Sequence, residues 1–155
     1  MPEQDVSATV SIGAPAETLY ALVSDVTRMG EWSPENVGGQ WLGRSTAPLV
    51  GARFRGSNRR GWRRWSTRCT VVEATPGWRF AFDVAVAGIP ASRWTYAFQP
   101  DGNTTLVTET WTDRRPKWFA ALAGATMGIA DIRAHNQQNI ATTLANLKAA
   151  AEQSR

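Results

Sequence analysis

SRWTYAFQPDGNTTLVTETWT, residues Ser92–Thr112, is the stretch on which the fold turns. Trp94, Tyr96 and Phe98 alternate with the smaller or polar Arg93, Thr95, Ala97 and Gln99, and a second alternating run follows the turn-forming cluster Pro100-Asp101-Gly102-Asn103. Period-two alternation on both sides of such a cluster reads as an antiparallel hairpin, with strands near 92–99 and 104–112. The second strand offers two faces: Leu106, Thr108 and Thr110, or Val107, Glu109 and Trp111. Trp111 is the larger apolar group, so its face is taken as the inner one. That choice carries a carboxylate, Glu109, into the interior. Burying it is costly unless it is paired or hydrogen-bonded. Glu109 is therefore a group that acts on a molecule held inside, a structural acid bonded to a neighbouring tryptophan or asparagine, or, if the other face is the inner one, an exposed residue.

The same reading extends backwards. Val6, Ala8, Val10 and Ile12 alternate with polar residues to make a first strand over 6–12. Pro15 suits the first turn of a short helix carrying Leu19, Leu22 and Val23, and a helical turn over Thr27–Glu31 ends at Ser33-Pro34. Further strands are expected near 36–43, 52–59, 64–74 and 78–86, separated by Gly61, Pro76-Gly77 and Gly88–Pro90. Forward of the hairpin, Leu122, Ala125, Ile129, Ile132, Asn136, Ile140, Thr143 and Leu147 keep helical spacing. They predict one long helix from about Pro116 to Glu152, with a kink or break possible at Gly124 and Gly128. The expected fold is α+β: a curved seven-stranded antiparallel sheet gripping a long C-terminal helix, with two short helices between strands 1 and 2. The helix is the one element expected to cover the apolar face of the sheet. A cavity belongs between the two.

At 155 residues and 43% hydrophobic content, residues 1–155 read as a single domain. Residues 1–10 contain no basic segment followed by an apolar run, and no stretch reaches the ~18 apolar residues of a membrane span. A cytoplasmic protein is expected. One cysteine, Cys69, rules out an internal disulfide and a multi-cysteine metal site, and no cofactor or metal is called for. His135 is the one histidine; Asp131, a turn before it, could pair with it, but neither lies beside a nucleophile, and a surface or helix-packing role is expected.

Eight tryptophans are many for such a chain. Trp41, Trp65, Trp94 and Trp111 fall on separate strands, and large half-polar rings in that number suit the wall of a pocket for an apolar ligand. Alternation adds Phe54, Thr67, Cys69 and Phe82 to the inner faces; Asn58 and, from the helix, Asn136 beside Ile132 are further interior candidates. Inward on its strand, Cys69 resembles a small buried hydrophobe more than a nucleophile. Trp62, Trp78 and Trp118 lie near turns or the helix start and are expected at the surface or a mouth.

The segments APAETLYALVSDV (Ala14–Val26), EWSPENV (Glu31–Val37), RFRGSNRRG (Arg53–Gly61), SRWTYAFQP (Ser92–Pro100) and HNQQNIATTLANLKAAAE (His135–Glu152) resemble polyketide cyclase/dehydrase-like members, of actinobacterial type, of the START-like helix-grip (SRPBCC) superfamily. The resemblance spans nearly the whole chain and implies a sheet gripping a C-terminal helix around a deep hydrophobic cavity. It implies pocket positions at Trp32, Asn58, Trp65, Trp94, Tyr96, Glu109 and Asn136. Lipid carriers, ligand sensors and aromatic-polyketide cyclases share that fold, so the expected partner is a small hydrophobic molecule. The expected role is carrier or sensor.

Two other classes compete. A cyclase/dehydrase-type enzyme would use Glu109 as its acid or base, because no HExxH, G-x-S-x-G or phosphate-binding glycine loop is present. Arg53, Arg55, Arg59, Arg60, Arg63, Arg64 and Arg68 crowd one hairpin in a chain of net charge +4. With Trp62 and Trp65 they suit nucleic acid or an anionic surface, although the solvent face of a hairpin looks the same. Trp118 and Phe119 with Leu122 and Met127 could form a cavity lid or touch a membrane transiently. Monomer and homodimer remain open.

Overall fold

A computed structural model describes residues 5–119, 121 and 132–153. Strand β1 (Asp5–Ile12) leads to helix α1 (Ala16–Ser24) and a 3-10 turn (Val26–Glu31). Strands β2 (Asn36–Trp41), β3 (Arg53–Arg60), β4 (Arg63–Thr75), β5 (Arg79–Val86), β6 (Ile89–Asp101) and β7 (Thr104–Asp113) follow. Helix α2 (Ile132–Gln153) closes the described chain. Whether the expected helix runs on or breaks at Gly124 and Gly128, and the pairing of Asp131 with His135, fall outside the described residues.

All strand pairs are antiparallel, in the order β1-β7-β6-β5-β4-β3-β2. Six consecutive strands form a meander, and the N-terminal strand joins its far edge beside β7. Irregularities at Asn36/Gly38, Val71/Glu73 and Val84/Ala85 interrupt the ladders, and such bulges bend strands. The sheet curves into the helix-grip form.

Most strand ends lie within one residue of expectation; the larger differences are that β2 stops at Trp41 and that β6 runs from Ile89 to Asp101, longer at both ends. The β6–β7 turn is tighter than a Pro100–Asn103 loop: Asp101 pairs with Thr104, and Gly102 takes the left-handed φ of 63°.

The concave face is covered in three pieces rather than by the C-terminal helix alone. Helix α2 lies against β1 and β7, burying Ile140, Leu144, Leu147 and Ala151. Lys148 Nζ donates to the Ser11 carbonyl at 2.7 Å, and Gly13 N–H to Glu152 at 2.9 Å, fixing that end. Helix α1 covers β5 and β6, where Tyr20 packs edge-on against Phe80 and Phe98 at 6.1 and 6.0 Å. The 3-10 turn sits on β2; a Cβ on Gly39 would meet the Val26 carbonyl at 2.5 Å, so only glycine permits the approach. The fully buried Phe54, Phe80, Phe98, Leu19 and Ile140 anchor the core, each contributing roughly 1.5–3 kcal/mol by burial. Short apolar stripes on α1 and the 3-10 turn suffice because each covers only one or two strands.

Candidate active or binding cavity

Between α2, the 3-10 turn and the inner faces of β3 to β7 lies a cavity of about 490 Å3. Pockets for small organic molecules span roughly 300–1,000 Å3. Twelve of the thirteen residues expected at a ligand site border it: Trp32, Phe54, Asn58, Trp65, Thr67, Phe82, Trp94, Tyr96, Glu109, Trp111, Ile132 and Asn136. Trp41 does not. Its half-buried ring packs edge-on against Phe54 at 5.7 Å, so Phe54 forms the wall there and Trp41 backs it.

Strand pairing explains the lining. Asn58 stands opposite Trp65, Phe54 opposite Cys69, Phe82 opposite Trp94, and Trp94 opposite Trp111. Ring contacts between Phe54 on β3 and Phe82 on β5 at 5.2 Å, across β4, and between Phe80 and Phe82 along β5 at 5.8 Å make this part of the wall aromatic. Trp32 enters from the end of the 3-10 turn, where its carbonyl accepts from Asn146 of α2 at 3.0 Å. Cys69 also lies on the wall, and burial pushes its thiol up to about 12, which suppresses the nucleophilic thiolate.

The acid faces inward. Glu109 is 2% exposed and stands directly opposite Tyr96, whose hydroxyl donates to Oε2 at 2.8 Å. Its Oε1 is buried without a hydrogen-bond partner among the described residues. Burial raises the Glu109 carboxyl to about 8, against the lowering effect of the Tyr96 hydrogen bond. Burial and the nearby Glu109 likewise raise the Tyr96 phenol. At neutral pH this arrangement favours a protonated carboxylic acid inside an aromatic chamber. The bonding partner is Tyr96, not the tryptophan or asparagine that sequence suggested.

A second polar group was not foreseen. Glu35 borders the cavity, and its Oε2 lies 2.6 Å from His135 Nε2 and 3.8 Å from Arg60 Nε. About a fifth of the Glu35 side chain is exposed, so this cluster sits where the cavity meets solvent. Glu35 and His135 are 100 residues apart, and no local pattern joins them. Asn139 and Thr143 also border the cavity, and their helical spacing from Asn136 could have revealed them. Arg115 lines it too, held by Asp113 through bonds of 2.9 and 2.8 Å. Among the described residues no cluster of three His, Cys, Asp or Glu side chains could hold a metal, and no helix is long and apolar enough to cross a membrane.

Outside the cavity, Arg53, Arg55, Arg59, Arg64 and Arg68 occupy the exposed face of the β3–β4 hairpin. Arg55 faces Arg68 and Arg59 faces Arg64. Trp62 is 83% exposed at the hairpin tip with Arg63 stacked over its ring at 4.9 Å; Trp78 and Trp118 are exposed as well.

Similar folds are widespread. The di-domain ARO/CYC protein StfQ from the steffimycin biosynthetic pathway superposes with a TM-score of 0.75 at 15% identity, over 97% of this chain and 51% of that one. A Thermus thermophilus protein gives 0.67 at 20% identity, over 97% and 98% of the two chains. These likenesses concern fold. The Polyketide_cyc-like protein of Corynebacterium glutamicum is 32% identical, with a TM-score of 0.60 over 96% of this chain and 91% of that one. No curated protein matches the sequence. The model of the family described as polyketide cyclase / dehydrase and lipid transport matches residues 3–152, and the chain belongs to that family.

Proposed function

We propose that this protein holds one small hydrophobic molecule, ring-containing or lipid-like, inside the cavity and acts as its carrier or sensor. The observation that carries the reading is the chamber itself: about 490 Å3, walled by Trp32, Phe54, Trp65, Phe82, Trp94 and Trp111, with most of its surface apolar. Such a surface gains little from water and much from an apolar guest. Native mass spectrometry of freshly purified protein, followed by extraction, tests it. A stoichiometric apolar compound released unchanged is the expected outcome; a cavity that takes up neither endogenous compound nor added aromatic probes would sink the reading.

One observation favours a second reading. An acid whose carboxyl titrates near 8 is poised to give a proton at neutral pH, as cyclisation or dehydration of a polyketide chain requires. Turnover of an extracted polyketide, lost on Glu109→Gln, would move the assignment from carrier to enzyme.

A further inference from the structure

We propose that Glu109 Oε1 is the recognition point of the cavity, and that the occupant is an uncharged ring system presenting a carbonyl-type oxygen to it. This inference rests on the ligand-holding role proposed above and narrows its ligand class.

The argument is one of hydrogen-bond accounting. Tyr96 donates to Oε2, so that oxygen acts as the carbonyl end of the acid. The acid proton then belongs on Oε1, which has no acceptor among the described residues. Glu109 borders the cavity and its Oε1 is covered, so water does not reach the atom, and a guest oxygen meets it through a small turn of the carboxyl group. A buried donor left unmade is costly, and a guest oxygen that accepts from it recovers that cost.

Charge narrows the class. Arg115 is the sole cationic side chain among the described lining residues, and it is already held by Asp113 through two bonds. An anionic guest would therefore find no free counter-charge. A cationic guest would require ionised Glu109, which burial opposes, while Glu35 at the rim is engaged by His135 and lies 3.8 Å from Arg60. Of the titratable groups on the wall, Tyr96, Cys69, Glu35 and Arg115, Tyr96 alone is bonded to Glu109. What remains is a neutral, largely flat apolar molecule with an oxygen acceptor, such as a ketone or quinone.

Fluorenone and fluorene test this, because they share a ring skeleton and differ in one carbonyl. Binding is followed by quenching of tryptophan fluorescence. The native protein is expected to bind fluorenone about tenfold more tightly than fluorene at pH 7, the worth of one hydrogen bond in a dry site. Glu109→Leu should bind both alike, its fluorene affinity serving as the measure of an intact cavity. Glu109→Gln keeps an N–H donor and should retain the preference. Raising the pH from 7 to 9.5 should erase the preference in the native protein and leave it in Glu109→Gln; this comparison decides the matter even where Glu109→Leu fails to fold. Equal binding of both probes by native protein overturns the inference while leaving the cavity-binding role standing. Binding of neither overturns both.

Discussion

Two carboxylates border the same cavity, and they could hardly be more differently placed. Glu35, at the rim, is part exposed, touches His135 and lies near Arg60. Glu109, at the inner end, is sealed from solvent, bonded through one oxygen and raised to about 8. Their chemistry differs because of surroundings rather than residue type. The rim holds its charges in mutual contact, while the inner end keeps one polar atom in reserve. A pocket that must admit an apolar molecule and still choose among such molecules has reason to be built this way.

Substitutions at the inner end should have the largest effects. Trp111 is 3% exposed, so Trp111→Ala should cost roughly 3–5 kcal/mol in denaturant unfolding and abolish binding of any cavity guest. Unchanged stability would show that the inner wall is not packed as described. Next comes pH. The native carboxyl titrates at about 8, whereas in the unfolded chain it returns to the usual value near 4.5. Between those values the native state binds the extra proton. Stability contributed by Glu109 is therefore complete below about pH 4.5 and lost as pH rises towards 8, at about 1.4 kcal/mol per pH unit. Urea unfolding from pH 5 to 8 should show this slope, flattening above it, and Glu109→Gln should lack it. A native protein equally stable at pH 5 and 8 would remove the contrast between the two acids.

The rim should respond weakly. With the Glu35 and His135 side chains about 21% and 25% exposed, His135→Ala should cost ~1 kcal/mol or less, because part-exposed pairs are screened by solvent. A much larger loss, measured at constant pH, would make the rim as structural as the inner end. Smallest of all is the convex face. Replacing Arg59 and Arg64, directly opposed on β3 and β4, by threonines should stabilise by a few tenths of a kcal/mol at low salt, a gain that fades in about 0.5 M salt. Loss of stability there would mean these arginines have favourable contacts.

Much of this was legible in the chain. Alternation placed Trp94, Tyr96, Glu109 and Trp111 inward, because a fully paired sheet leaves each residue no third choice of face. What alternation lacks is register. A loop over Pro100–Asn103 would misalign β6 and β7, whereas the pairing of Asp101 with Thr104 runs down the ladder to set Tyr96 opposite Glu109. Reading Gly102-Asn103 as a two-residue turn would have identified the partner. Trp41 was misplaced because face says nothing about depth: at the outermost strand the ring meets Phe54 before it meets the cavity. The contact of Glu35 with His135 depends on how the segment after the 3-10 turn and α2 fold over the sheet. Nothing local in the sequence encodes it. Likewise, the stripe on α1 was visible, but not that it would share the concave face with α2.

The lone thiol of the chain stands on the cavity wall, 3% exposed, with the Thr67 hydroxyl 3.7 Å away. It is a built-in clock. A thiol held near 12 and covered in this way reacts slowly, so alkylation of Cys69 proceeds through moments when the wall opens to water and reagent. The labelling rate thus measures how often the chamber opens, without any engineered probe. An occupant that must leave before the wall is reached slows that clock in proportion to its residence, so the exchange of cargo can be timed at a single sulfur atom.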